Sequence, residues 1–171
     1  MQNEIQNFTE LKILTPLIVS CDYLKWLKDR DVTKFSDNQY KKFSKKGQLE
    51  YIKSFLNCDD HYLYGIFFKS KHVGNIVLGP IDFNHKNANI SYMIGDKSLW
   101  GIGLGTVVIS KIVRIAKIEF QLKKLYASCA QENIGSQNVL LKNNFKIEGR
   151  KKSHLFYNSK WMDCLDFGLL L

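Results

Sequence analysis

Apolar positions change their period several times along the chain, and each change marks an element. Tyr23, Leu24, Trp26 and Leu27 recur at helical spacing in 22–28, and Leu49, Ile52, Phe55 and Leu56 do so again in 48–56. Each run predicts a short amphipathic helix, with Trp26 as a core anchor in the first. Ahead of them, Glu10 to Thr15 reads as a strand that Pro16 ends, and between them the stretch 29–47 is polar. His61 to Phe68 and Val73 to Ile81 are almost continuously apolar and rich in β-branched and aromatic residues. That pattern predicts two strands covered on both faces, joined through Lys69-Ser-Lys-His72. After a loop from Asp82 to Asn87, residues 88–94 alternate, with Ile90, Tyr92 and Ile94 on one face and Asn89, Ser91 and Met93 on the other. The three strands form an antiparallel meander.

Four glycines then fall between Gly95 and Gly105, and Leu104, Val107, Val108, Ile112, Ile115 and Ala116 take up helical spacing opposite Lys111, Arg114 and Lys117. A glycine-rich turn therefore opens a long amphipathic helix. A strand at 125–130, a helix at 134–143 and strands at 145–152 and 162–170 follow, the last two separated by the turn at Asn158-Ser159. The predicted order is β-α-α-β-β-β-α-β-α-β-β. No internal repeat or Pro/Ser/Gly-rich linker divides the chain, and its 171 residues suit a single domain over 1–171.

Composition narrows the function. Hydrophobic residues make up 45% and charged residues 24%, a globular balance rather than a disordered one. The 25 Lys and Arg exceed the 16 Asp and Glu, for a net charge of +9, which favours an anionic ligand or partner. The clusters Lys41-Lys42, Lys45-Lys46, Lys123-Lys124 and Arg150-Lys151-Lys152 have no interleaved aromatics and no known binding motif. They read as solvated faces, and nucleic acid is disfavoured. Cys21, Cys58, Cys129 and Cys164 form no Cys-x-x-Cys pair, so neither a zinc ribbon nor a disulfide framework is indicated. They read as buried thiols of a reducing cytosol, and no metal is expected. Met1-Gln-Asn-Glu lacks the features of a signal peptide and no apolar run reaches the ~18 residues of a membrane span, so the expected location is cytoplasmic, away from membranes.

The sharpest chemical feature is Trp100-Gly-Ile-Gly-Leu-Gly-Thr106, lying between a strand and a helix. Glycines there allow a tight turn that gathers backbone N–H groups, and the helix N-terminus adds unpaired donors and partial positive charge. The turn is built to cradle a pyrophosphate, or it is a purely structural turn. No Gly-Lys-Ser/Thr follows, which excludes a Walker-type loop, and the glycine spacing does not fit the dinucleotide fingerprint.

This segment resembles motif A of the GCN5-related N-acetyltransferases, in the Trp-Gly-x-Gly-x-Gly form of their RimJ/RimL-like branch. Trp100 stands where the superfamily usually has Arg or Gln. Downstream, Asn133-x-x-Ser136, Leu140-Leu141-Lys142, Asn144-Phe145 and Glu148-Gly149 resemble motif B. Asn144 replaces the usual glycine but tolerates the left-handed conformation that ends a helix. Asp166-Phe-Gly-Leu-Leu resembles that branch's last strand, so the likeness runs from Tyr23-Leu-Lys-Trp26 to Leu171.

The resemblance implies an α+β three-layer fold: a mixed, mostly antiparallel seven-stranded sheet flanked by four helices and splayed between the fourth and fifth strands. It implies acetyl-CoA in that gap as co-substrate. Backbone groups of Tyr92, Met93 and Ile94 would pair with the pantetheine arm, and the amides of Ile102, Gly103, Leu104, Gly105 and Thr106 would bind the pyrophosphate. Asn133 would hydrogen-bond the pantetheine or serve as a helix N-cap, and Lys142 would approach the nucleotide end.

The reaction implied is direct attack of a primary amine on the thioester in a ternary complex. The tyrosine that many members use as the acid is replaced by Leu140, and Ser136 is the substitute. Asp82, His85 and Tyr92 are the local alternatives for a base. His85 has the best-suited ordinary pKa, ~6.5, and Glu132 beside Asn133 is a further candidate. The runs Gly74 to Asp82 and Met93 to Gly101 resemble enzymes that acetylate a nucleotide-linked amino-sugar in bacterial surface-glycan synthesis. The alternatives are N-terminal acetylation of ribosomal or other proteins and a non-catalytic acyl-CoA-binding module. A homodimer stays open.

Overall fold

A computed structural model describes residues 2–18 and 21–171. Helix α1 (Gln2–Phe8) leads into strand β1 (Thr9–Ile13), and helices α2 (Cys21–Lys28), α3 (Arg30–Thr33) and α4 (Lys45–Leu56) precede the meander β2 (Tyr62–Phe68), β3 (Lys71–Asp82) and β4 (Asn87–Ile94). Helix α5 (Leu104–Ile118), strand β5 (Lys124–Ala130), helix α6 (Ile134–Lys142) and the hairpin β6 (Lys146–Tyr157) and β7 (Lys160–Leu170) complete the chain. The predicted order holds, with α1 and α3 as additions. Both were hidden by their size: α1 buries only Ile5, and α3 is a single turn whose start Asp29 caps by accepting from the N–H groups of Asp31 and Val32.

The seven strands form one sheet in the order β1-β2-β3-β4-β5-β7-β6, antiparallel except for β4 beside β5. On one face α5 lays down Leu104, Val107, Val108, Ile109, Ile112 and Ala116 against Tyr64, Ile66, Ile76, Leu78, Ile90 and Leu125. On the other, α2 and α4 pack Tyr23, Trp26, Leu27 and Ile52 against Leu14 and Leu63. The strands that read as covered on both faces are therefore sandwiched between two helical layers. Trp26 is the anchor expected of it, lying so close over Gly95 that a Cβ there would meet its ring at 2.2 Å. Only glycine admits this contact, which fixes α2 to the end of β4.

Of the thiols read as buried, Cys164 is buried, whereas Cys58 and Cys129 are half-buried because one lies in a surface loop and the other borders the gap between β4 and β5. The side chain of Cys21 lies outside the described residues. No helix among them is long and apolar enough to cross a membrane.

Candidate active site

Strands β4 and β5 pair only through Asn87, Ala88 and Asn89, opposite Lys124, Leu125 and Tyr126. Beyond that point β4 stays on β3 while β5 stays on β7, so a gap opens with one unpaired edge on each side. Gly95 N–H donates to the Val73 carbonyl on β3, and backbone direction alternates along a strand. Met93 therefore spends its backbone groups on β3, while those of Tyr92 and Ile94 face the gap. The Ile94 carbonyl is already taken, because Trp100 Nε1–H donates to it at 2.9 Å. What remains for a ligand is the Tyr92 N–H and carbonyl and the Ile94 N–H. Of the three residues expected to pair with a pantetheine arm, Tyr92 is the fully equipped one.

The glycine turn stands at the mouth of the gap. Gly101 and Gly103 have φ of +79° and +96°, and a Cβ on either would meet nothing within 4 Å. The left-handed backbone needs glycine, and the space in front is open. Gly103 is the N-cap of α5 and has no side chain to satisfy the first N–H groups of that helix. Open space facing unsatisfied donors at a helix N-terminus fits an anionic group such as a pyrophosphate. The other four residues from 102 to 106 differ in their use. Leu104 is buried in the core, so only its amide is on offer. A Cβ on Gly105 would stand 3.1 Å from Val139, so this glycine lets α5 approach α6. Ile102 and Thr106 are half-buried, and the Thr106 carbonyl accepts from Asn143 Nδ2 at 3.1 Å.

Helix α6 supplies the other wall. Asn133 is its N-cap, accepting from Ser136 N–H at 3.1 Å, and it also borders the chamber. The cap uses only Oδ1, which leaves the Nδ2 donors for a bound ligand. Tyr92 O–H donates to Ser136 Oγ at 3.4 Å, and the Ser136 hydroxyl also reaches the half-buried thiol of Cys129. Burial pushes the Tyr92 phenol up to about 12 and the Cys129 thiol up to about 11, so both stay protonated at neutral pH.

The gap continues into a cavity of about 1210 Å³ that runs from Gly103 and Lys142 to the inner face of α2 and α4. Its far wall holds Tyr23, Gln48, Tyr51 and Asn75, and its rim holds Lys34, Lys41 and Lys42. Asn75 is buried and accepts from His72 Nε2 at 2.9 Å, while the Tyr23 hydroxyl hydrogen-bonds the Asn75 side chain. Asp31 is the one carboxylate of the lining, and Lys97 holds it at 2.8 Å.

Ser136, Tyr92, Met93, Ile94, Asn133, Lys142, Gly103, Leu104, Gly105 and Thr106 all line this cavity. Ile102 does not, and neither do Asp82 and His85. The last two lie in the β3–β4 turn, where Asp82 Oδ1 accepts from the His85 backbone N–H at 2.8 Å. Five residues of β4 separate that turn from Tyr92, ~17 Å of extended strand. The loop that feeds a strand lies at its start, whereas the gap opens at its end. Glu132 borders a separate shallow depression with Arg150 and Trp161. Sequence reasoning missed Tyr23, Gln48, Tyr51 and Asn75. A polar residue inside the apolar run 73–81 was the signal available for Asn75.

A sheet parted beside a glycine-started helix, with a chamber passing through the opening, is the framework of an acyl-CoA-dependent transferase. Residues 13–146 match the family described as Acetyltransferase (GNAT) domain, and the chain belongs to that family of N-acetyltransferases. It is 28% identical over 131 residues to a probable N-acetyltransferase, YjcK, of Bacillus subtilis (strain 168), covering 75% of this chain and 72% of that protein. A solved structure described as a probable acetyltransferase superposes with a TM-score of 0.86 at 21% identity, covering 97% of this chain and 94% of the other. RimL, a ribosomal L7/L12 alpha-N-protein acetyltransferase solved with coenzyme A, superposes with a TM-score of 0.84 at 19% identity over 96% and 94% of the two chains. These structural likenesses speak for the fold.

Proposed function

We propose that this N-acetyltransferase moves the acetyl group of acetyl-CoA to the amine of an anionic small molecule, best represented by a nucleotide-linked amino-sugar. The observation that carries the choice is the charge of the chamber: Lys34, Lys41, Lys42 and Lys142 line it, against a single carboxylate, Asp31, already engaged by Lys97. A polycationic amine would meet like charge, whereas a phosphate-bearing acceptor finds counter-ions.

When bound, acetyl-CoA supplies an activated thioester carbonyl. The amides from Ile102 to Thr106 bind its pyrophosphate, the Tyr92 backbone and Ile94 N–H hold the pantetheine arm, and Asn133 Nδ2 donates to that arm. Lys142 neutralises charge at the nucleotide end. Ser136 O–H protonates the departing thiolate while taking a proton from Tyr92 O–H, and the Tyr92 phenolate, made strongly basic by burial, regains a proton from solvent. No histidine and no free carboxylate lines the described chamber. The amine therefore attacks in its neutral form and passes its surplus proton to water, so turnover rises with pH as the acceptor deprotonates. Asp82 and His85 take no part.

Release of CoA thiol, measured across nucleotide-linked amino-sugars, spermidine and peptides with free N-termini, tests this reading. The nucleotide-sugars are expected to give the highest kcat/KM. Replacing Lys41 and Lys42 together by Ala should raise the acceptor KM roughly 3-fold to 30-fold, at ~0.3–1 kcal/mol per exposed charge, without moving that of acetyl-CoA. Preference for spermidine or for peptides would overturn the acceptor assignment. Binding of acetyl-CoA without thiol release on any amine would leave a non-catalytic acyl-CoA-binding module.

A further inference from the structure

Away from the chamber, the loop joining α4 to β2 gathers three unlike donors. Cys58 Sγ lies 3.0 Å from Asp60 Oδ1 and 3.7 Å from His61 Nδ1, and those last two atoms are 2.8 Å apart. Among the described residues this is the one group of three or more His, Cys, Asp or Glu side chains whose ligand atoms converge in this way. None of the three lines the acetyl-transfer chamber.

The backbone that carries them is pinned. Cys58 N–H donates to the Phe55 carbonyl at the end of α4, and the Asp60 carbonyl accepts from Ile81 N–H of β3 at 2.8 Å. Gly79, with φ of +134°, brings β3 so near that a Cβ there would lie 2.4 Å from the Asp60 carbonyl oxygen and 2.9 Å from His61 Cα. The His61 ring stands edge-on to Phe55, with centroids 6.3 Å apart. On the outer side the site is open, with the His61 and Asp60 side chains 34% and 46% exposed. Fixed donors with one open side are the arrangement of a three-ligand metal site whose fourth position takes water.

We propose that Cys58, Asp60 and His61 bind a zinc-class divalent cation. Metal bonds of ~2.3 Å to sulfur and ~2.0–2.2 Å to nitrogen and oxygen place the donors of a tetrahedral site ~3.4–3.6 Å apart. The present separations reach that geometry when the Asp60 oxygen moves roughly 0.6–0.7 Å away from the other two donors, within the reach of side-chain rotation. Thiolate with imidazole selects zinc over magnesium or calcium, which take oxygen donors. Binding releases the Cys58 thiol proton to solvent and leaves a thiolate and a carboxylate to balance the 2+ charge. The neutral His61 ring donates its Nδ1 lone pair. The ion ties the end of α4 to the start of β2 and so steadies the helix that presents Gln48 and Tyr51 to the chamber. This runs against the expectation of no metal, which rested on the missing Cys-x-x-Cys pair. The three donors fall within four residues and belong to three residue types, a pattern that counting cysteines does not register.

Titration of the chelator-treated full chain with Co2+ alone, followed by absorption, tests the site. Wild type should take up one equivalent with a thiolate-to-cobalt charge-transfer band and the visible bands of tetrahedral cobalt, both removed by added Zn2+. Cys58→Ser should abolish the charge-transfer band, and Asp60→Asn and His61→Ala should each weaken binding at least ~10-fold. Circular dichroism establishes that each variant is folded, and Cys129→Ser should retain the wild-type spectrum. Absence of a thiolate band in wild type at micromolar Co2+, or its survival in Cys58→Ser, would overturn the proposal and leave a hydrogen-bonded triad. Neither result bears on the acetyl-transfer chamber.

Discussion

At its glycine end the chamber presents backbone: left-handed turns at Gly101 and Gly103, the first amides of α5 and the unpaired edge of β4. At its lysine end it presents side chains, with Tyr23 of α2, Gln48 and Tyr51 of α4, Asn75 of β3 and the lysines of 34–42 converging from separate parts of the chain. A surface of amides recognises what every acyl-CoA shares, and its position follows from the path of the main chain. A surface of side chains can be changed one residue at a time without moving the fold. On the proposed reading the co-substrate is held through main-chain groups and the acceptor through side chains.

The largest expected effect separates the two halves. Gly103→Val puts a branched side chain where φ is +96° and where the anion would sit. The left-handed backbone costs ~1–2 kcal/mol and lowers Tm by ~2–8 °C, so the protein stays folded. Calorimetric titration with CoA should then show at least ~100-fold weaker binding, because a few lost charge-assisted hydrogen bonds at ~1.5–3 kcal/mol each account for that factor. Affinity within a few-fold of wild type would remove the cradle from the account.

A smaller effect belongs to the seam between the halves, where Tyr92 meets Ser136. Ser136→Ala and Tyr92→Phe should each lower kcat by roughly 10-fold to 100-fold with little change in the KM of acetyl-CoA, since loss of a positioned acid acts on the chemical step. Acting in series, they should combine non-additively, the double variant being no worse than Ser136→Ala alone. With its phenol pushed up to about 12, Tyr92 should produce no fall in kcat between pH 7 and 10. Full additivity, or a Tyr92-dependent decline in that range, would break the relay.

The same division explains what was legible in the sequence. The order of strands and longer helices followed from periodicity, and the glycine turn was visible as a turn. Ser136, Asn133 and Lys142 were named through the resemblance to motif B, and all three line the cavity. Asp82 and His85 were chosen for chemistry and for nearness in sequence to β4. A strand has two ends, however, and theirs is the one where β4 and β5 remain paired. Tyr23, Gln48 and Asn75 converge only after two helices pack on the sheet, and no local pattern announces that. Helix α3 was unreadable for the opposite reason, since one turn holds too few apolar residues to show a period.

On the proposed mechanism both halves must be filled together for the acetyl group to move. Cys129, which lies beside Ser136, has its thiol pushed up to about 11 by burial, which suits it poorly as the carrier of a transferred acetyl group. Initial velocities measured while acetyl-CoA and the acceptor amine are varied against each other test this most directly. Double-reciprocal lines that intersect are the predicted result, the signature of direct attack in a ternary complex. Parallel lines, with a stable acetylated protein isolated in the absence of acceptor, would contradict it.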